Sequence, residues 1–440
     1  MSPEVYHHQG MWFWRAMRYE TARAIASYHN TSTRGGHMTY RPLEISTVTD
    51  YIRDTALMGS IFSKDETLVA EDLADGNVNL VFRVSNGTTS KTASVIVKQA
   101  LPYARAVGES FPMPLKRISV EHHALTVQAQ YCPQWVPRVY YYDEDMALMV
   151  MEDLNQHVIM RKGMMQQIQY PQFARHLGLF LARTLFYTSD LYCASEVKKQ
   201  QVSLRINPEL CRVTEDLVFT HPFIDHPGNH WNPRLTEEID EIRTDSPLLA
   251  QIMDLKDRFM THAEALIHGD LHTGSIMLNQ HHTAVIDPEF SFYGPMAFDV
   301  GSLLGNLAIS YVAQGAYGLN TKTVAEYRRW IAESIQTIWT VFSLEFRSLW
   351  RTYAHSWKNE VYIDQYLHRL LRESLGFGGV EIIRRIVGLA HTVDLEHITD
   401  NEMKTYAEIT ALRMGRLWIQ RSHQLTHIDE LVSLMREVAL

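Results

Sequence analysis

Between Leu266 and Phe290 the sequence reads Leu-Ile-His268-Gly269-Asp270-Leu-His272-Thr-Gly-Ser275-Ile-Met-Leu, a short polar gap, then Ala-Val-Ile-Asp287-Pro288-Glu289-Phe290. The pattern predicts two short apolar strands, each leading into a loop that carries acid. Asp270 lies in the first loop, with a histidine on either side; Asp287 closes the run Ala284 to Ile286, and Glu289 stands two residues on. A buried, unpaired carboxylate is costly, so three acids at the ends of buried strands need a partner. A divalent metal carrying a phosphate supplies one, because hard cations take oxygen ligands.

Each motif alone has an ordinary reading. His-x-Asp is common, and an aspartate after a strand often only caps a helix or forms a turn. The combination is specific: His-Gly-Asp, five residues to a polar side chain at Ser275, and about a dozen more to a strand ending in Asp. This order resembles the catalytic loop and metal loop of the protein-kinase-like phosphotransferases, in which one aspartate serves as base and a second holds magnesium.

The elements that position these loops are bounded by composition. A chain of 440 residues holds one large two-lobed domain or two to three ordinary ones, and with 46% apolar and 21% charged residues it has ample material for a core. A formal charge of −9 argues against a nucleic-acid partner, which requires a basic face. The 22 histidines include pairs such as His122-His123 and His281-His282, but none has Cys or His partners at zinc spacing. The three cysteines, Cys132, Cys193 and Cys211, are odd in number and far apart, as suits a reducing cytoplasm rather than a disulfide framework. No uninterrupted apolar run reaches the roughly 18 residues of a membrane span. The expectation is a cytoplasmic protein with no membrane partner.

Residues 1–37, with His7-His8, Trp12, Trp14 and Gly35-Gly36, follow no sustained period and lack a signal-peptide pattern. We expect them to be an extension outside the fold, with Met38 as the natural start. Thr47 to Gly59 predicts an amphipathic helix with Val48, Ile52, Ala56 and Met58 near one face. Leu68 to Val84, with Asp75-Gly76-Asn77 at its centre, predicts a hairpin, since those residues tolerate positive φ. A second turn at Asn86-Gly87 precedes Ala93-Ser-Val-Ile-Val-Lys98. Lys98 alone could be a surface charge at a strand end. After a small-residue turn and an antiparallel strand, it matches the lysine with which kinase-like N-lobes clamp nucleotide phosphates. Glu121, in a helix expected to begin near Leu115, is its candidate partner, with Glu109 the weaker one. Two strands follow, Trp135 to Tyr142 and Met146 to Met151, with a turn at 143–145. The second runs into Glu152-Asp153-Leu154, which by its position resembles the hinge of a two-lobed phosphotransferase, whose backbone would meet adenine.

Helical spacing dominates the remainder. Phe173, Leu177, Phe180, Leu181 and Leu185 predict a buried helix. Asn207-Pro-Glu-Leu-Cys211 opens another as a turn signal. Residues 220–233, with Pro222, Pro227, Gly228, Trp231 and Pro233, predict a long loop in which Trp231 is either a lid or ordinary packing. One helix is expected from about Thr236 through Ala265. After the turn at Gly294-Pro295, Asp299 stands where a helix N-cap belongs. Near the end, Glu381-Ile-Ile-Arg384-Arg385-Ile-Val-Gly388 sets adjacent arginines among branched apolar residues. Neighbours on a helix point about 100° apart, so one is expected to face inward toward an anion or a hydroxyl-rich ligand.

His268 to Ser275, Asp287-Pro-Glu289-Phe and Phe292-Tyr-Gly-Pro-Met-Ala-Phe-Asp299 together closely resemble the 5-methylthioribose kinases. The resemblance extends over Asp75-Gly-Asn-Val-Asn79-Leu-Val-Phe, Asn207-Pro-Glu-Leu-Cys and Arg384-Arg385, and so covers the chain from Met38 onward. Most members of the wider superfamily carry Asn at the position of Ser275 and a different pair after Asp287; both departures match the methylthioribose branch. The resemblance implies an α+β, two-lobed protein-kinase-like fold. A small β-rich N-lobe would occupy 38–153 and a larger, mainly helical C-lobe 154–440. It implies ATP and Mg2+ as cofactors, 5-methylthioribose as the small-molecule partner, and a homodimer. Asp270 would be catalytic and would also bind the substrate, together with Arg384 and Arg385. Asp287 and Glu289 would hold the metal. Asn79, Lys98, Met151, Glu152, Asp153, Leu154 and the loop Asp287-Pro288-Glu289 would bind ATP. Trp231 would offer an apolar wall to the methylthio group, Asp299 would brace the catalytic loop, and Ser275 would not be needed as a metal ligand.

Two other readings stay open at this stage. One is a neighbouring activity in the same fold. An aminoglycoside site should be densely acidic, whereas the ligand-side candidates here are arginines; a choline site would need an aromatic cage. The other is a catalytically silent ATP-binding regulator, whose expected mark is loss of Asp270, Asp287 or Lys98; all three are present.

Overall fold

Apolar side chains at alternate positions of neighbouring segments build the first of two compact units, which takes in the chain up to Thr126 and Pro137–Asn155. The computed structural model describes residues 40–73, 78–87, 93–105, 108–317, 321–353 and 358–438. The expected extension 1–37, Met38 and the Asp75-Gly76-Asn77 turn lie outside them. Helix α1 (Ile45–Arg53) precedes strands β1 (Val69–Asp72), β2 (Asn79–Ser85) and β3 (Ser94–Ala100); helix α2 (Arg117–Tyr131) then leads to β4 (Val139–Asp143) and β5 (Leu148–Glu152). The strands form one antiparallel sheet in the order β1-β2-β3-β5-β4. Phe82, Val84, Val95, Val97, Leu148 and Val150 join Val48, Tyr51 and Ile52 of α1 in one apolar cluster. Successive strand side chains alternate between faces, so Lys98, next to Val97, belongs to the other face. Helix α1 stops at Arg53, short of the expected Gly59. Thr55 Oγ1 donates to Ile52 O at 2.7 Å, a local bond that competes with helix continuation.

The second unit, Val127–Val136 with Gln156–Leu440, is mainly helical. It runs through β6 (Val158–Ile159), α3 (Met160–Met165), α4 (Phe173–Tyr187), α5 (Ser195–Leu204), α6 (Pro208–Leu217), α7 (Thr236–Thr244) and α8 (Ser246–Thr261). Short strands follow: β7 (Ala265–Ile267), β8 (Ile276–Leu278), β9 (Thr283–Val285) and β10 (Phe292–Gly294). They pair antiparallel as β10-β7 and β6-β8-β9. The chain ends in α9 (Met296–Ala313), α10 (Thr321–Tyr353), α11 (Glu360–Val387), α12 (Val393–Glu396), α13 (Asn401–Arg421) and α14 (Ile428–Val438).

Two helices stand where one was expected between Thr236 and Ala265. Asp245 leaves helical geometry (ψ 85°), its carboxylate caps Leu248 N at 3.1 Å, and Pro247 fits the first turn of the new helix. Helix α9 is buried along its whole length. Met296–Ala316 is long and apolar enough to cross a membrane by composition, yet that window is entirely buried inside the unit, as befits a core helix. Gly301 lets α11 approach it closely: a Cβ there would stand 2.5 Å from Ser374 O. From Ser374 to Val387, α11 is buried on every side.

Candidate active site

After β7 the chain turns sharply at Gly269, where φ is +84°. A Cβ at this position would lie 2.3 Å from the Phe290 carbonyl oxygen. Glycine is therefore required twice, for the left-handed backbone and for contact between the two acidic loops. The amides of His268 and Gly269 donate to the buried Asp299 carboxylate at 2.6 and 3.0 Å. Pro295 is the N-cap of α9, which corrects the N-cap expectation for Asp299. That residue sits in the first turn and braces the backbone of the loop that carries Asp270.

Both histidines of the loop have their tautomer fixed by backbone donors. Asp270 N donates to His268 Nδ1 at 3.3 Å, so His268 carries its proton on Nε2 and donates to Ile286 O at 2.9 Å. Gly274 N donates to His272 Nδ1 at 2.8 Å, so the His272 proton is on Nε2, 3.4 Å from Asp270 Oδ2. Ser275 Oγ accepts from His272 N at 2.9 Å and lies 3.0 Å from the carbonyls of Asp270 and His272. Its hydroxyl is thus engaged in holding the loop's own backbone.

Asp270 is the meeting point of a charged group in this unit. Arg384 and Arg385 place Nη2 atoms 3.6 and 3.7 Å from its Oδ1. Both arginines are buried, because α11 is enclosed on all sides here; the expectation that only one would face inward is corrected. Glu381, one turn earlier, accepts from Arg384 Nε at 2.6 Å and from Arg385 Nε at 2.8 Å. Asn306 Nδ2 donates to Glu381 at 2.9 Å, and Arg161 Nη2 donates to Asn306 Oδ1 at 3.0 Å. Arg161 also meets Thr273 Oγ1 at 3.1 Å and Asp394 at 3.0 Å. Burial alone would push the Asp270 carboxyl up, but His272, Arg385 and Arg384 outweigh it and hold the group well below the usual carboxylate range. Burial likewise pushes the His272 imidazole down against the pull of Asp270, so it faces the carboxylate as a neutral N–H donor.

The second acidic loop is latched to the first. Ile286 N donates to Ser275 O at 3.0 Å, Ser291 Oγ to Ile267 O at 2.6 Å, and Asn207 Nδ2 to the carbonyls of Glu289 and Ser291 at 3.0 and 3.3 Å. Asp287 adopts φ +69°, a left-handed conformation that Asp tolerates better than most side chains. Asp287 is exposed and Glu289 buried. Two carboxylates flanking Pro288 in a braced loop are hard oxygen donors, a set that fits Mg2+.

In the first unit, Lys98 Nζ lies 2.7 Å from a Glu121 carboxylate oxygen, the pair expected from sequence, and both residues are buried. Asn79 Oδ1 accepts from Arg117 Nε at 3.0 Å; Arg117 also donates to Leu101 O at 2.7 Å. Met151 and Glu152 are still paired in the sheet, and Glu152 N donates to Arg138 O. The ladder ends there, so the backbone past the sheet begins at Asp153 and Leu154. The Asp153 carboxylate accepts from Arg83 Nε and Ser94 Oγ, both at 2.8 Å, which fixes the strand end.

Asp270, Arg384 and Arg385 therefore come together, as do Asp287, Pro288 and Glu289 in one loop. Trp231 is engaged by the Arg243 guanidinium 4.9 Å over its ring and by Thr236 Oγ1 at 3.4 Å. Sequence reasoning missed Glu381, Asn306, Arg161 and the bracing role of Asn207. Only Glu381 left a signal: an acid three and four positions before two arginines shares their helix face.

The sequence profile of the phosphotransferase enzyme family matches residues 69–330. A methylthioribose kinase from Geobacillus sp. (strain WCH70) is 42% identical over 385 residues, 86% of this chain and 93% of its own length. One from Yersinia pseudotuberculosis serotype IB (strain PB1/+) is 40% identical over 394 residues, 89% of this chain and 96% of its own. The chain belongs to the methylthioribose kinase family. Among solved structures, a choline kinase from Cryptosporidium parvum Iowa II matches at 10% identity and a TM-score of 0.45, covering 88% of this chain and 98% of its own. Membership in the methylthioribose kinase family agrees with the resemblance carried by the two acidic loops, and with a protein-kinase-like fold made of one β-rich and one mainly helical unit.

Proposed function

We propose that the protein transfers the terminal phosphoryl group of ATP to the 1-hydroxyl of 5-methylthioribose, giving the 1-phosphate, as a step of methionine salvage. One observation carries this reading: Arg384 and Arg385 converge on Asp270 in a chain 42% identical to a methylthioribose kinase over most of its length. Asp270 accepts the hydrogen bond of the 1-hydroxyl and points its oxygen in line at the phosphorus. A carboxylate held this far down is a weak base. It suits the loose transition state of phosphoryl transfer, in which orientation precedes proton loss. The two guanidiniums bind the sugar hydroxyls and the charge developing on the transferred group. In the nucleotide's site, Lys98 contacts the phosphates, Asn79 orders the chain that covers them, and of the segment Met151 to Leu154 the backbone past the sheet, at Asp153 and Leu154, meets adenine. Asp287 and Glu289 hold Mg2+, which when bound offsets phosphate charge. Trp231 is the candidate wall for the methylthio group. The enzyme works in the cytoplasm as a homodimer.

The reading is tested by ADP release from magnesium-ATP, with methylthioribose, ribose, choline or kanamycin as acceptor and Asp270→Ala as control. The expected result is turnover with methylthioribose alone, lost in the variant. Turnover with choline or kanamycin instead would keep the fold and discard the substrate. ATP binding without turnover on any acceptor would favour a silent regulator.

A further inference from the structure

Two guanidiniums on adjacent residues of a buried helix repel each other, and neither can be kept out of water without a counter-charge. One carboxylate, Glu381, takes hydrogen bonds from both. Glu381 is 1% exposed; its Oε2 takes Arg384 Nε at 2.6 Å, and its Oε1 takes Arg385 Nε at 2.8 Å and Arg384 Nη2 at 3.1 Å. Asn306 Nδ2 donates to the same Oε1 at 2.9 Å and to Ser302 O at 2.9 Å, which ties the carboxylate to α9. Both Nε atoms are therefore committed backward along the helix, while an Nη2 of each arginine stands near Asp270 Oδ1 at 3.6 and 3.7 Å. A guanidinium is planar, so fixing Nε fixes the direction of its terminal nitrogens.

We propose that Glu381 is the positioning residue of the acceptor site. It converts two mutually repelling cations into one two-pronged donor aimed at the oxygen-rich group that Asp270 holds, a sugar hydroxyl and then its phosphate ester. The charge count fits this use. Glu381 and Asp270 together balance the two arginines, and once the acceptor hydroxyl's proton passes to Asp270 as the oxygen bonds to phosphorus, one positive charge is left to meet the phosphoryl group. The same arrangement disfavours cationic acceptors. Glu381 touches neither substrate directly; it acts through Arg384 and Arg385. The inference rests on the sugar-kinase reading above.

The test compares Glu381→Gln and Glu381→Asp with the unmodified enzyme, each alone and in an Arg384→Ala/Arg385→Ala background. Glu381→Gln keeps the volume but turns an amide N–H toward a guanidinium. The expected result is a fall of roughly tenfold to a hundredfold in kcat/KM for methylthioribose, with KM for ATP within about twofold. Glu381→Asp, which keeps the charge, should recover part of the loss and serves as the readout should the Gln variant not fold. In the background lacking both arginines, Glu381→Gln should cost little further activity. A purely structural role would instead lower Tm while leaving both KM values and the turnover of folded enzyme unchanged. That result, or a full additional loss in the arginine-free background, would overturn the proposal. Failure of the unmodified enzyme to use methylthioribose would count against the functional reading and not against the geometry.

Discussion

Gly269→Ala gives the most quantitative test of how the two acidic loops are joined. The substitution adds one methyl group where φ is +84° and where the nearest atoms are the Phe290 carbonyl oxygen and carbon, at 2.3 and 2.7 Å. The left-handed backbone costs an alanine about 1–2 kcal/mol. The clash is with main chain, which cannot rotate away, so the loop bearing Asp287 and Glu289 must retreat by about 1 Å; overpacking of this kind costs roughly 1–3 kcal/mol. The total is about 2–5 kcal/mol of stability. A displacement of about 1 Å at reacting groups also lowers kcat by about a hundredfold. Gly59→Ala is the matched control, since its φ is +96° but the nearest atom to an added Cβ is Lys64 Cε at 3.8 Å. It should lose only about 1–2 kcal/mol and keep its kcat. Urea denaturation and initial rates of ADP formation measure both quantities. Equal stability losses in the two variants, or a Gly269→Ala enzyme with normal kcat, would refute the steric argument.

Other consequences follow from the electrostatics of the helical unit. Because His272, Arg385 and Arg384 hold Asp270 low against its burial, kcat/KM should show no acid limb from Asp270 between about pH 5 and 7. In Arg385→Ala the carboxyl rises toward its ordinary value and an acid limb should move up in pH; an unchanged profile would contradict the pairing. Glu373, 2.6 Å from Arg258 Nη1, is pushed up to about 7, first by burial and further by Glu264 against the pull of Arg258. A raised carboxyl stabilises the fold below its unfolded value near 4.5 and loses that contribution as pH rises through about 7. The stability difference between the unmodified protein and Glu373→Gln should therefore change by roughly 3 kcal/mol across this window; denaturation series at pH 4.5 and 7.5 that differ by the same amount in both proteins would contradict it. Ser275→Ala should cost about 1–2 kcal/mol of stability through the lost backbone bonds while leaving the Mg2+ concentration dependence of the rate unchanged. A shifted metal dependence would make Ser275 a metal-site residue after all.

Local signals made much of the architecture readable. Turn residues and β-branched runs marked the sheet, and a lysine after such a run, in the order of a kinase-like N-lobe, pointed to Glu121 in the following helix. The two acidic loops were conspicuous because carboxylates at strand ends have no cheap burial. What escaped was set by contacts between distant segments. The all-round burial of α11, which draws in both arginines, depends on α9 and α13 packing around it and leaves no periodic trace. Asn306 and Arg161 reach the site from helices whose sequences look ordinary. The break at Asp245 was legible in principle, since Asp-Ser-Pro is a strong helix start, but the apolar spacing on either side read as continuous. Trp231 shows the opposite case: the sequence marked it, and its contacts to Arg243 and Thr236 are compatible with ordinary loop packing as well as with a wall beside the substrate.

The position of the phosphate in the product tests the central claim most directly. Phosphorus NMR of the reaction mixture from methylthioribose and magnesium-ATP should show, beside ADP, one new phosphate ester whose phosphorus couples to the anomeric proton, and this signal should be absent with Asp270→Ala. A phosphate on another hydroxyl, or ATP consumed with no phosphorylated sugar formed, would contradict the assignment of Asp270 and the twin arginines to the 1-hydroxyl.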